Sequence, residues 1–100
     1  MKWREKREAV TVRREIKIVN ELGLHARPAA QFVRRASAFR SDIWLVGENG
    51  RFSARSLIDV LRANLNCGDT AILEAHGVDA EDAVGQLEKL LAELKDKNDQ

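Results

Sequence analysis

The sequence predicts a two-layer α+β domain in which helices cover one face of a four-stranded antiparallel sheet, in the order βαββαβα. Three observations carry this. Val10, Val12, Ile16 and Ile18 alternate at period two, the pattern of a half-buried strand. Asn49-Gly50 joins two β-rich runs, the strongest short hairpin signal a sequence offers. Ala80, Ala83, Val84, Leu87, Leu90, Leu91 and Leu94 keep helical spacing over four turns. Ferredoxin-like folds share the first six elements, so element order alone leaves that architecture open.

The elements follow one another along 100 residues, the length of a single domain. Residues 1–9 read as a flexible N-terminal extension with Trp3 as their one large apolar group. The domain proper is expected over residues 10–95, with a polar tail over residues 96–100. The first strand runs from Val10 to Val19, with Arg14 breaking its apolar row, and Asn20-Glu21-Leu22-Gly23 follows as a loop. A helix spans Ala26 to Ala38, because Ala29, Phe32, Val33 and Ala36 form one apolar stripe. Pro28 suits its first turn, where the missing N–H has no partner to lose. Strands Ile43 to Val46 and Arg51 to Ala54 flank the expected type I′ turn. Ser56 opens a short helix, and Asn64 stops it with a left-handed residue. Gly68-Asp69 turns the chain into the last strand, Thr70 to Ala75, which Gly77 ends. Asp79 is expected to cap the final helix.

Composition narrows the function. Hydrophobic residues make up 44% and charged residues 33%, a soluble globular balance. The longest unbroken apolar run, Ile43 to Val46, is far below the roughly 20 residues of a membrane-spanning helix. No apolar segment follows the basic N-terminus, so no secretory signal is expected. The single Cys67 cannot form an internal disulfide, and a cytoplasmic location is expected. No cofactor and no metal are expected, and a monomer is. Net charge is +1, but its distribution is uneven: 14 basic and 7 acidic residues through Arg62, then 3 basic and 9 acidic. That asymmetry favours steering toward an acidic partner or an anion. A nucleic-acid-binding module would need clustered cations interleaved with stacking aromatics, and the chain has five aromatics in all, with Phe32 and Phe52 committed to the core.

One stretch asks for a chemical explanation: Gly23-Leu24-His25-Ala26-Arg27-Pro28-Ala29. His25 stands immediately before a helix. The first N–H groups of a helix lack intrahelical partners and, with the macrodipole, form an anion site. An anion bonded to a ring nitrogen of His25 would reach those donors, and Arg27 would add a charge-assisted hydrogen bond. A neutral imidazole has a lone pair for nucleophilic attack. Phosphoryl transfer asks chiefly for positioning and charge neutralisation. The same residues also read as an exposed cap and an ordinary surface charge.

This stretch resembles the active-site signature of the HPr family, the histidine-containing phosphocarriers of the bacterial phosphoenolpyruvate-dependent phosphotransferase system. The resemblance extends over residues 11 to 94. Arg55-Ser56-Leu57-Ile58-Asp59-Val60-Leu61 falls where the family carries its regulatory-serine helix. The resemblance implies the family's open-faced β-sandwich and a carrier rather than an enzyme with turnover of its own. It makes His25 the phosphate acceptor, through Nδ1, and Arg27 the stabilising cation, with the N–H groups of Ala26 and Arg27 completing the cradle. Position 26 often bears a hydroxyl in relatives and is Ala here, which leaves the N–H as donor. Enzyme I is the implied donor and an enzyme IIA domain the implied acceptor. Leu57, Ile58 and Leu61 would form the apolar part of the docking surface, and Arg27 and Arg34 its basic rim. Leu57 and Leu61 also read as core.

Ser56 matches the serine that HPr kinase/phosphorylase modifies in many relatives, and it is equally a good N-cap, with Asp59 as a box-like partner. Arg62-Ala63-Asn64 replaces a common Gly-containing turn and is similar to the nitrogen-related branch, whose members signal rather than serve sugar uptake. Elsewhere, His76 reads as a solvated turn residue, Cys67 as incidental and Trp44 as packed.

Overall fold

The computed structural model describes residues 8–97. The extension expected around Trp3 and the end of the polar tail lie outside the described residues. The elements are β1 (Val10–Lys17), α1 (Ala26–Ser37), β2 (Asp42–Gly47), β3 (Gly50–Ser53), α2 (Leu57–Arg62), β4 (Thr70–Gly77) and α3 (Ala80–Lys97). Their order is the expected βαββαβα. All four strands form one antiparallel sheet in the order β1-β4-β2-β3.

The alternation of each strand decides its two faces. Ile16, Ile43, Leu45, Ala71, Leu73 and Ala75 are buried against the helices. Ala29, Phe32 and Ala36 bring in the apolar stripe of α1, Val60 that of α2, and Ala83, Val84, Leu87 and Leu91 that of α3. Arg14 breaks the row in β1 for a physical reason. It stands toward the edge of the helix layer, where its Nη1 donates to Glu88 Oε1 of α3 at 2.8 Å. The opposite sheet face is mixed: Val46 pairs with Ile72 on it, beside charged residues. Glu74 lies between Arg13, 4.0 Å away, and Arg51, 3.6 Å away. The Arg51 guanidinium covers the Trp44 ring at 3.9 Å from its centroid, so Trp44 packs beneath a cation on the sheet surface.

Four local expectations change. The first strand ends at Lys17, although Ile18 still bonds to the loop before β4, its N–H to Asp69 O at 2.8 Å and its O from Gly68 N at 2.7 Å. The hairpin turns at Glu48 and Asn49 between paired Gly47 and Gly50, and of Asn49 and Gly50 only Gly50 has positive φ, 128°. A type I′ turn centred on Asn49-Gly50 needs positive φ at both, so the glycine serves one position later than expected. His76 lies inside β4, opposite Thr11 and Asp42, with its Nδ1 2.6 Å from Thr11 Oγ1. Asp79 does precede α3, and its carbonyl accepts from Ala83 N at 2.9 Å. Its carboxylate turns away from the helix and accepts from Arg40 N, Ser41 N and Ser41 Oγ at 2.9, 3.0 and 2.6 Å.

Candidate functional site

The site is built on the connection between β1 and α1. Asn20 is buried, 1% exposed, and closes a turn from inside: Gly23 N donates to Asn20 O at 2.9 Å, and Asn20 Nδ2 donates to Gly23 O at 2.7 Å. Gly23 then adopts φ 73°. A Cβ there would stand 2.5 Å from Leu65 O and 2.8 Å from Asn66 Cα, so only glycine lets the two loops meet. The next residue seals the contact, with Leu24 N donating to Leu65 O at 2.9 Å. Leu24 is buried, and His25 emerges exposed as the N-cap of α1.

His25 has extended backbone, φ −91° and ψ −165°, and its side chain makes no capping hydrogen bond. Its carbonyl accepts from Ala29 N at 2.8 Å, which starts the helix. The imidazole is therefore not engaged by the helix it precedes. Ala26 and Arg27 contribute first-turn N–H groups with no intrahelical acceptor, and Pro28 contributes none. The first turn holds no acidic residue to compete for those donors. Arg27 is exposed and forms no ion pair among the described residues. A histidine, two free donors and a free guanidinium at the positive end of a 12-residue helix form an arrangement suited to an anion held on the ring.

The short helix α2 reaches the same place. A shallow pocket of about 230 Å³ is lined by Leu22, Leu24, His25, Ala26, Leu61, Asn64, Leu65 and Asn66. Asn64 ends α2 at φ 54°, the left-handed stop its sequence predicts. Leu57, Ile58 and Leu61 are 39%, 64% and 37% exposed, so the two leucines are surface residues and not core. Ile58 and Leu61 are three apart, neighbours on one helix surface. Arg34 is exposed and without an ion pair among the described residues, on the same helix as Arg27.

Ser56 caps α2, its Oγ accepting from Asp59 N at 3.2 Å. The box-like reciprocal bond takes another form: Asp59 Oδ2 accepts from Ser53 N at 3.4 Å. Arg55 fastens this end of α2 to the loop after α1, donating to Phe39 O at 3.2 Å and Ser41 O at 3.4 Å. Cys67 is exposed, and no group of three metal-ligating side chains exists among the described residues.

Sequence reasoning passed over two residues here, Asn20 and Leu22. The signal for Leu22 was present, since a leucine between Glu21 and Gly23 in a turn has no local reason to be apolar, whereas the role of Asn20 shows only in its burial.

The sequence model of the PTS-HPr family, described as the PTS HPr component phosphorylation site, matches residues 12–93. The chain belongs to the HPr family. It is 40% identical to the phosphocarrier protein HPr of Buchnera aphidicola subsp. Schizaphis graminum over 82 residues, 82% of this chain and 96% of that relative. It is 38% identical to the HPr of Vibrio cholerae over 81% of this chain and 95% of that one. Among solved structures, HPr from Bacillus anthracis superposes with a TM-score of 0.78 at 28% identity, over 81% of this chain and 96% of that one. The open-faced sandwich is thus the HPr fold, and the HPr family is one of phosphocarriers of the phosphotransferase system. No helix among the described residues is long and apolar enough to cross a membrane.

Proposed function

We propose that this HPr-family chain accepts a phosphoryl group from enzyme I on His25 and passes it to an enzyme IIA domain. The observation that carries the reading is His25 itself: an exposed imidazole with no hydrogen bond to its helix, beside first-turn N–H groups that no acidic side chain occupies. In the loading step the His25 Nδ1 lone pair forms a bond to phosphorus. The bond between phosphorus and the donor atom breaks, and its electron pair stays with the donor. The developing charge on the phosphoryl oxygens meets the N–H groups of Ala26 and Arg27 and the Arg27 guanidinium. Unloading reverses the roles, with Nδ1 as leaving group. The site works by charge and position and asks for no metal. Leu57, Ile58 and Leu61 form the apolar docking surface, with Arg27 and Arg34 as its basic rim.

Ser56 is a regulatory site in this reading, open to a kinase of the HPr kinase/phosphorylase type. A phosphate there adds about −1.5 to −2 charges beside a surface that receives acidic partners. Asp59, one turn along α2, already lowers the positive potential on that side.

The test is intact mass after incubation with phosphoenolpyruvate and enzyme I, with His25→Ala in parallel. One phosphate, lost in acid and absent from the variant, is expected. An acid-labile phosphate retained by His25→Ala overturns the assignment.

A further inference from the structure

We infer that Leu22 is a second apolar anchor for the phosphodonor protein, set on the acceptor loop rather than on α2. This rests on the reading that His25 accepts phosphate, and it adds a residue that sets which donor fits.

Leu22 is 65% exposed, as bare as Ile58. It sits at the corner of the Asn20–Gly23 turn, where a polar side chain would lose nothing in the free protein. The turn does not depend on it, because the buried Asn20 amide and the Gly23 N–H close the loop from the other side. Leu22 therefore contributes little to the fold and leaves most of its apolar surface in water. Its place is not arbitrary, since it lines one pocket with His25, Ala26 and Leu61. The acceptor imidazole thus shares a recess with one leucine from the chain before it and another from the docking helix. Across this recess Leu22, on the acceptor loop, meets the apolar side of α2 at Leu61.

The occupant follows from chemistry and charge. It is the phosphodonor domain, with an apolar group over Leu22 and carboxylates facing Arg27 and Arg34. Those arginines have no ion-pair partners among the described residues. Glu21 shares the turn corner, so the donor surface above Leu22 carries no carboxylate. Closure of such a surface buries Leu22 and excludes water beside the histidine as the phosphoryl group moves.

The experiment is steady-state phosphorylation by enzyme I and phosphoenolpyruvate, varying carrier concentration. Wild type, Leu22→Ser, Leu22→Met and Val78→Ser are compared. Val78 is also exposed, but it follows Gly77 at the far end of β4. Leu22→Ser is expected to raise KM about tenfold, the loss of a largely buried leucine contact, with kcat little changed. Leu22→Met keeps apolar volume and stays close to wild type. Val78→Ser matches wild type, and all four melt together. Equal KM for wild type and Leu22→Ser overturns the inference while His25 still accepts phosphate. A fall in kcat at unchanged KM also overturns it, by placing Leu22 in the transfer step instead of docking. A wild type that takes no phosphate from an active enzyme I overturns the relay reading and this inference together.

Discussion

Ser41 donates to the same Asp79 oxygen twice, from its N–H at 3.0 Å and from its hydroxyl at 2.6 Å. The pair joins the loop after α1 to the start of α3, and Ser41 is fully buried beneath it. Partial burial pushes the Asp79 carboxyl up, but the bonds from Arg40 N, Ser41 Oγ and Ser41 N outweigh it and hold the group below the ordinary aspartate value.

Stability should follow that depression. The unfolded chain binds the Asp79 proton more readily than the folded one. The carboxylate's contribution is therefore complete above the unfolded value of about 3.9 and fades as pH falls through the folded value. Asp79→Asn is expected to lose about 1–2 kcal/mol at neutral pH and to show a shallower loss of Tm on acidification. Thermal melts from pH 7 to pH 2 check this; parallel acid limbs for wild type and variant would contradict it.

Gly23→Ala should destabilise the acceptor loop. Its φ of 73° and the approach of Leu65 O leave no room for a methyl group. A cost of about 1–3 kcal/mol is expected from the backbone alone. The Leu24–Leu65 hydrogen bond should open with it, which amide exchange at Leu24 would report.

Arg27→Ala should slow phosphate loading at least about tenfold, the loss of one charge-assisted hydrogen bond to the moving group. Arg27 is exposed and without an ion pair among the described residues, so stability should hold within about 0.5 kcal/mol of wild type. Single-turnover loading beside a melt separates the two effects, and wild-type rates would remove Arg27 from the mechanism.

Ser56 separates capping from charge. Ser56→Ala should cost about 1 kcal/mol, because Asp59 N loses its acceptor. Ser56→Asp keeps a capping oxygen and adds a negative charge. It should melt near wild type yet raise KM for enzyme I severalfold at low salt, with the difference shrinking as salt screens it. A salt-independent KM would point to shape rather than repulsion.

Much of this was readable in the chain. Periodicity placed β1, α1 and α3, turn and cap residues placed the elements between them, and the stripe Ala29, Phe32 and Ala36 is the buried face of α1. The heptapeptide from Gly23 to Ala29 placed the candidate site, because its residues act through one loop and one helix end. What escaped depends on long-range approach. Asp79 has the sequence of a cap, and only the fold brings Ser41, 38 positions away, within its reach. Arg14 looked like a broken pattern until Glu88 stood opposite it. Whether Leu57 and Leu61 were core or surface depended on where α2 lies on the sheet. Asn49-Gly50 announced a hairpin, but a two-residue signal does not fix which turn position the glycine takes.

On the uncovered sheet face Glu74 stands between two arginines and Trp44 lies beneath one of them. Those charges find partners within the protein, while Leu22 and Leu61 share one recess with His25. In the proposed relay, two partners that both cover this recess exclude one another, so the giver must leave before the receiver can land.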